Sequence, residues 1–143
     1  MLEAAREAVP TDGNTLLIAV TVLTSLEDGD LKELGIDAST DEQVLRLAGL
    51  TQQCGLDGVV CSARESSALR ERFGVDFKLV TPGVRPAGTA SSDQRRVMTP
   101  LDAIEAGSDY LVIGRPITQH KDPRSALESI HLGLEQSLSE GLS

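Results

Sequence analysis

Four short aliphatic runs, each followed by a stretch with helical spacing, constrain this chain more than any other feature. The runs are Leu16–Leu23 (LLIAVTVL), Gly58–Cys61 (GVVC), Phe77–Val80 (FKLV) and Tyr110–Ile113 (YLVI). They are continuous rather than alternating, the pattern of strands covered on both faces, as parallel strands are. The helical stretches carry their own start signals. Ser39-Thr40-Asp41-Glu42 has capping-box spacing, and Val44, Leu47, Ala48 and Leu50 then fall on one face. Ser62-Ala63-Arg64-Glu65 repeats the box ahead of Leu69 and Phe73. Thr99-Pro100 sets a cap before a proline at the first helical position, with Ile104 inward. Asp122-Pro123 does the same ahead of a stripe of Leu127, Ile130, Leu134 and Leu138. A short helix is expected at Asp30–Leu34, stopped by Gly35, and another at Leu2–Ala8 before the first run. Strand and helix alternate four times, which predicts an α/β fold with a parallel sheet. No linker or composition shift divides residues 1–143, so they read as one domain.

Aromatic residues make up 2% of the chain and Trp is absent, so the core must be aliphatic. A net charge of −9 weighs against a broad nucleic-acid or anionic-membrane surface. Any anion site must then be a local cluster of cations. The longest apolar run is too short to span a bilayer, and the N-terminal residues lack the basic-then-apolar order of a signal peptide. A soluble, cytoplasmic chain is the expectation. Cys54 and Cys61 read as free thiols, and no zinc-type spacing is present.

Polar residues gather after each run: Thr24-Ser25, Ser62, Thr81-Pro82-Gly83-Val84-Arg85, and Gly114-Arg115-Pro116. In α/β barrels the loops at that end of the strands build the ligand site, often with phosphate after the last two strands. Ten of the 13 cationic residues are Arg, and Arg85, Arg95, Arg96 and Arg115 accompany the last two runs. Arginine forks match phosphate oxygens at two points. Gly114 leaves room for a backbone N–H to approach an anion. Plainer readings stand beside these. Ser62 reads first as a helix cap and Thr24 as a turn residue. Arg95 and Arg96 equally suit the surface of a polar loop, GTASSDQRR, and Arg115 also suits a structural ion pair. His120 and His131 lack partners for metal or triad chemistry and read as surface residues, and Tyr110 reads as packing.

Taken in order, LLIAVTVLTS, CGLDGVVCSA, FKLVTPGVRP followed by DQRRVMTP, and DYLVIGRPIT resemble successive segments of bacterial orotidine 5′-phosphate decarboxylases. The resemblance runs from about Leu2 to the last helix. It implies a (β/α)8 barrel, of which this chain would carry the last four βα units preceded by one helix. It also implies decarboxylation of orotidine monophosphate to uridine monophosphate without cofactor or metal, in a homodimer. Motif by motif, Thr24 would lie by the nucleotide, Arg85 and Gln94 would contact the phosphate, and Gly114 and Arg115 would complete its cradle. The family's chemical centre is an Asp-x-Lys-x-x-Asp array after its third strand, with further Asp and Lys residues after the first two. No counterpart occurs here. Asp30-x-Lys32 resembles the start of the array, but Gly35 stands at the second Asp and the stretch reads as helix. No catalytic residue is therefore assigned.

The helix before LLIAVTVL can carry an internal methionine in the resembled family. A shortened gene, a start placed at an internal codon and a deliberately cut half barrel are all compatible with Met1. A full barrel takes about 250 residues, so two open sheet edges and an uncovered interior face are expected. Such a chain would pair with a second copy, need the missing N-terminal half, or be marginally stable. A noncatalytic nucleotide-phosphate module and a purely structural half barrel are the competing readings. A relative of the ribulose-phosphate epimerases fits less well, because no metal-ligand histidine cluster is present.

Overall fold

The computed structural model describes residues 1–10, 13–86 and 98–140. Four strands, β1 (Ile18–Val20), β2 (Gly58–Val60), β3 (Lys78–Pro82) and β4 (Tyr110–Val112), form one sheet in the order β1-β2-β3-β4. Every neighbouring pair is parallel. The helices are α1 (Leu2–Ala8), α2 (Asp28–Glu33), α3 (Thr40–Gln53), α4 (Ser66–Phe73), α5 (Pro100–Glu105), α6 (Arg115–Thr118) and α7 (Pro123–Glu140), with a 3-10 turn over Ala63–Glu65. The alternation expected from the aliphatic runs is present, with strands shorter than the runs. The ends of each run still pair: Thr21 N–H donates to the Val60 carbonyl at 3.2 Å, and Cys61 N–H to that of Val80 at 3.1 Å.

Side-chain chemistry sets the helix starts. Ser39 accepts from Glu42 N–H while the Glu42 carboxylate accepts from Ser39 N–H, and Ser62–Glu65 and Thr99–Asp102 repeat the exchange. Asp122 accepts from Ser125 N–H at 3.1 Å at the start of α7. A device not anticipated from the sequence operates at the opposite end of the sheet. Asp57 and Asp109 each directly precede a strand and reach across to the neighbouring strand's backbone. Asp57 accepts from Leu17 N–H at 2.7 Å, and Asp109 from Leu79 N–H at 2.8 Å. Arg6 and Arg70 pair with these two carboxylates at 3.3 and 2.6 Å. Arg70 also donates to the carbonyls of Gly74, Phe77 and Gly107, fastening α4 to the strand ends.

The core lies on one side of the sheet. Val44, Ala48 and Leu69 of the helices bury Val59 and Leu79, and a smaller cluster joins Ala63, Val84 and Ala103. Several sequence expectations are corrected here. On α3, Thr51 is the buried residue and Leu50 is exposed, because the inward stripe follows Val44, Ala48 and Thr51. Ile104 is half-buried while its neighbour Ala103 is fully buried. On α7, Leu127 is exposed, Ile130 and Leu134 are half-buried, and the side chain of Leu138 lies outside the described residues.

The larger correction concerns the sheet itself. Paired residues of parallel strands point to the same face. The row Ala19, Val59, Leu79 meets the helices. The alternate row, Val20, Val60, Val80 and Tyr110, does not. Val20 is 57% exposed, and Tyr110 and Val112 are each 49% exposed. Tyr110 is thus no packing residue within this chain. Continuous aliphatic runs mark strands suited to two covered faces, but only one is covered here.

Candidate phosphate-binding site

Because all four strands are parallel, their C-terminal ends share one end of the sheet, and Thr24, Ser62, Arg85, Gly114 and Arg115 all follow from it. Thr24 is exposed in the turn after β1. Ser62 is committed to capping: its hydroxyl accepts from Arg64 N–H, and its own N–H donates to Glu65 at 2.9 Å. Gln94, Arg95 and Arg96 lie outside the described residues.

Arg85 is the distinctive member. Gly83, at φ 80°, sits in the left-handed region that glycine tolerates best, and the turn it makes at the end of β3 precedes two buried residues, Val84 and Arg85. Arg85 is 9% exposed, and its N–H donates to the Met98 carbonyl at 3.1 Å just before α5. Among the described residues no carboxylate or carbonyl accepts from its guanidinium. Its stem is largely covered while the fork stays free of protein partners among the described residues, which suits it to an anion.

At the end of β4 the sequence suggested a loop, whereas Gly114 caps the single turn α6. Its carbonyl accepts from Ile117 and Thr118 N–H. A β-carbon at Gly114 would meet nothing within 4 Å, so the chain's own packing leaves that space open. Arg115 is exposed on the turn and makes no ion pair among the described residues. The structural ion pair that competed for it is thereby set aside within the described residues.

Other chemistry-bearing groups are occupied or inert. Burial pushes the Cys61 thiol up to about 12, which removes it as a nucleophile near neutral pH. Cys54 and Cys61 are free thiols. Among the described residues no group of three or more His, Cys, Asp or Glu could hold a metal. A cavity of ≈ 270 Å³ lies between α2 and α3, lined by Asp28, Lys32, Asp37, Ala38, Ser39 and Glu42. Asp28 accepts from Thr40 N–H and Oγ1 there, both at 2.8 Å, which holds its carboxyl below the usual range. That acidic hollow is unsuited to phosphate. Asp30 and Lys32 lie on the helix α2, as the sequence suggested.

A four-stranded parallel βα sheet whose Arg85 and Arg115, after the strand C-termini, make no ion pair among the described residues is the architecture of part of an α/β barrel. Comparison with known proteins makes the class specific. The model of the orotidine 5′-phosphate decarboxylase / HUMPS family matches residues 1–130, and the chain belongs to that family. It is 62% identical over 133 residues to the orotidine 5′-phosphate decarboxylase of Vibrio campbellii, covering 92% of this chain and 57% of that protein. The Shewanella sediminis enzyme is 62% identical over 136 residues, with 94% and 58% covered. Among solved structures, the orotidine 5′-phosphate decarboxylase of Lactobacillus acidophilus aligns with a TM-score of 0.78 at 39% identity, covering 94% of this chain and 58% of that one. The fold is therefore part of a (β/α)8 barrel, and the chain spans a little under three fifths of the length of these relatives. No helix among the described residues is long and apolar enough to cross a membrane.

Proposed function

We propose that this chain is the phosphate-gripping C-terminal half of an orotidine 5′-phosphate decarboxylase, competent to bind uridine or orotidine monophosphate and unable to decarboxylate alone. The carrying observation is Arg85, a mostly buried residue whose guanidinium has no counter-charge among the described residues, after the strand end where barrels often receive phosphate. Arg115, on the open turn beyond Gly114, supplies a second fork, and Gln94 joins them on the strength of the DQRR motif. Thr24 lies at the same end, beside the nucleotide in this reading. Remote phosphate contacts of this kind help lower a barrier when they tighten in the transition state.

Chemistry needs more than that grip. The resembled family uses an Asp-Lys-Asp array, in which the lysine gives a proton to the carbon that loses carbon dioxide. The three lysines here are Lys32, Lys78 and Lys121. Lys32 sits on α2, Lys78 pairs with Asp109 at the opposite end of β3, and Lys121 lies between α6 and α7. None belongs to an Asp-x-Lys-x-x-Asp array. Incubation of the purified chain with orotidine monophosphate, followed by absorbance, is expected to give no turnover above a blank prepared from cells lacking the host enzyme. Sustained turnover would refute the reading.

A further inference from the structure

Asp57 and Asp109, each directly before a strand, are gripped unequally by their arginines. Arg6 lies 3.3 Å from Asp57 and 3.4 Å from the Gly55 carbonyl, and its buried Nε has no hydrogen-bond partner among the described residues. Arg70 repeats that arrangement and fills it. One terminal nitrogen donates to the Asp109 carboxylate at 2.6 Å and to the Gly107 carbonyl, the other to the carbonyls of Gly74 and Phe77 at 2.8 and 2.9 Å. Gly107, at φ 106°, lies against the arginine stem. A β-carbon there would come within 3.3 Å of Arg70 Cβ, Cγ and Nε, so glycine is what lets the side chain cross. Asp109 and Leu79 exchange two bonds: the carboxylate accepts from Leu79 N–H at 2.8 Å, and Asp109 N–H donates to the Leu79 carbonyl at 3.0 Å. Lys78 Nζ stands 3.8 Å from the second carboxylate oxygen.

On the phosphate reading proposed above, we infer that Arg70 is a positioning residue for the phosphate grip, holding β4 in register on β3 so that Arg85 and Arg115 leave the two strands at matching positions. The β3–β4 ladder runs only from Val80 with Tyr110 to Pro82 with Val112. So short a ladder leaves its register to whatever fixes the start, and Leu79 and Asp109 are the residues directly before the first pair. Arg70 ties together the segments that meet there: the end of α4 at Gly74, the entry to β3 at Phe77, and the entry to β4 at Gly107 and Asp109. The same register, carried past the strand ends, sets Arg85 opposite Arg115. A slip of one residue would shift one arginine by about 3.3 Å against the other and turn the side chains of β4 to the opposite face. A phosphate matched to both forks would then lose one. The looser clamp of Arg6 and Asp57 registers β1 on β2, strands that carry neither arginine.

The experiment measures uridine monophosphate binding by calorimetric titration and backbone amide exchange by NMR, at a temperature where circular dichroism shows each variant folded. Arg70→Met is expected to speed exchange of the Leu79 amide and to weaken binding, each by about tenfold or more. Arg70→Lys keeps the ion pair but cannot span the carbonyls, so it falls between Arg70→Met and the parent. Arg6→Met speeds exchange of the Leu17 amide and leaves binding within about twofold, as for distant, independent sites. A merely structural role for Arg70 predicts a lower melting temperature with parental affinity in the folded chain. Should Arg70→Met not fold, Asp109→Asn, which keeps an acceptor for Leu79 N–H, serves the same comparison. Parental binding by the Arg70 variant, or equal losses in Arg6→Met and Arg70→Met, overturns the positioning role and leaves the phosphate site standing. A parent chain that does not bind uridine monophosphate overturns the phosphate reading, and the role with it.

Discussion

Arg85 and Arg115 offer the same fork from opposite environments, and the contrast makes their roles separable. Arg85 is mostly buried, so Arg85→Ala removes buried volume along with the proposed anion contact. Arg115 is exposed on α6, so Arg115→Ala should leave the melting temperature of the free chain unchanged. Hydrogen bonds to charged groups contribute about 1.5–3 kcal/mol. Calorimetric titration with uridine monophosphate is therefore expected to show at least tenfold weaker binding for Arg115→Ala, and unaltered binding would remove Arg115 from the cradle. Glu65 allows a second test at this scale. Burial, more than any neighbour, raises its carboxyl above the ordinary 4.5, while its oxygen accepts from Ser62 N–H. The folded state thus holds the proton more tightly than the unfolded one, and Glu65's contribution to stability falls as pH rises above that value. Glu65→Gln keeps an acceptor oxygen and loses the titration. Its melting temperature relative to the parent should increase from about pH 4 to about pH 7, and a constant difference would contradict this account.

At the scale of elements, the strand rows carry the strongest constraint. Gly58 pairs with Ile18 on one side and Lys78 on the other, and a β-carbon there would run into the Lys78 carbonyl. Relief requires β2 and β3 to part. Gly58→Ala is expected to lower unfolding free energy by about 3 kcal/mol, the upper part of the overpacking range, measurable by urea denaturation; a change within about 0.5 kcal/mol would contradict the pairing. Much of this level was legible in sequence, for physical reasons. Ser39–Glu42 and Ser62–Glu65 are local exchanges between residues three apart, so spacing alone reveals them. The single turn α6 was not visible, because four residues around Gly114 and Pro116 carry no periodicity. Asp57 and Asp109 escaped notice because their partners lie 40 and 30 residues away. Their shared position, directly before an aliphatic run, was the available signal.

For the whole molecule, sequence revealed a parallel βα half barrel and the strand ends after which Arg85 and Arg115 lie. It did not reveal that Arg85 would be mostly buried, since that depends on the turn at Gly83 and on the backbone bond from Arg85 N–H to the Met98 carbonyl. Nor did an aliphatic run such as LLIAVTVL distinguish a strand covered by helices from one awaiting strands across a barrel, because the composition suits both. Strands, arginines and absent array together make one claim: the chain retains a working phosphate grip without the chemistry. A ligand that binds only the folded state raises stability by mass action. The most direct measurement is a thermal melt of the purified chain with and without uridine monophosphate. A cooperative transition that moves upward with ligand and saturates is the predicted result. A transition that ligand leaves unmoved would contradict the claim that these residues form a phosphate site within this chain.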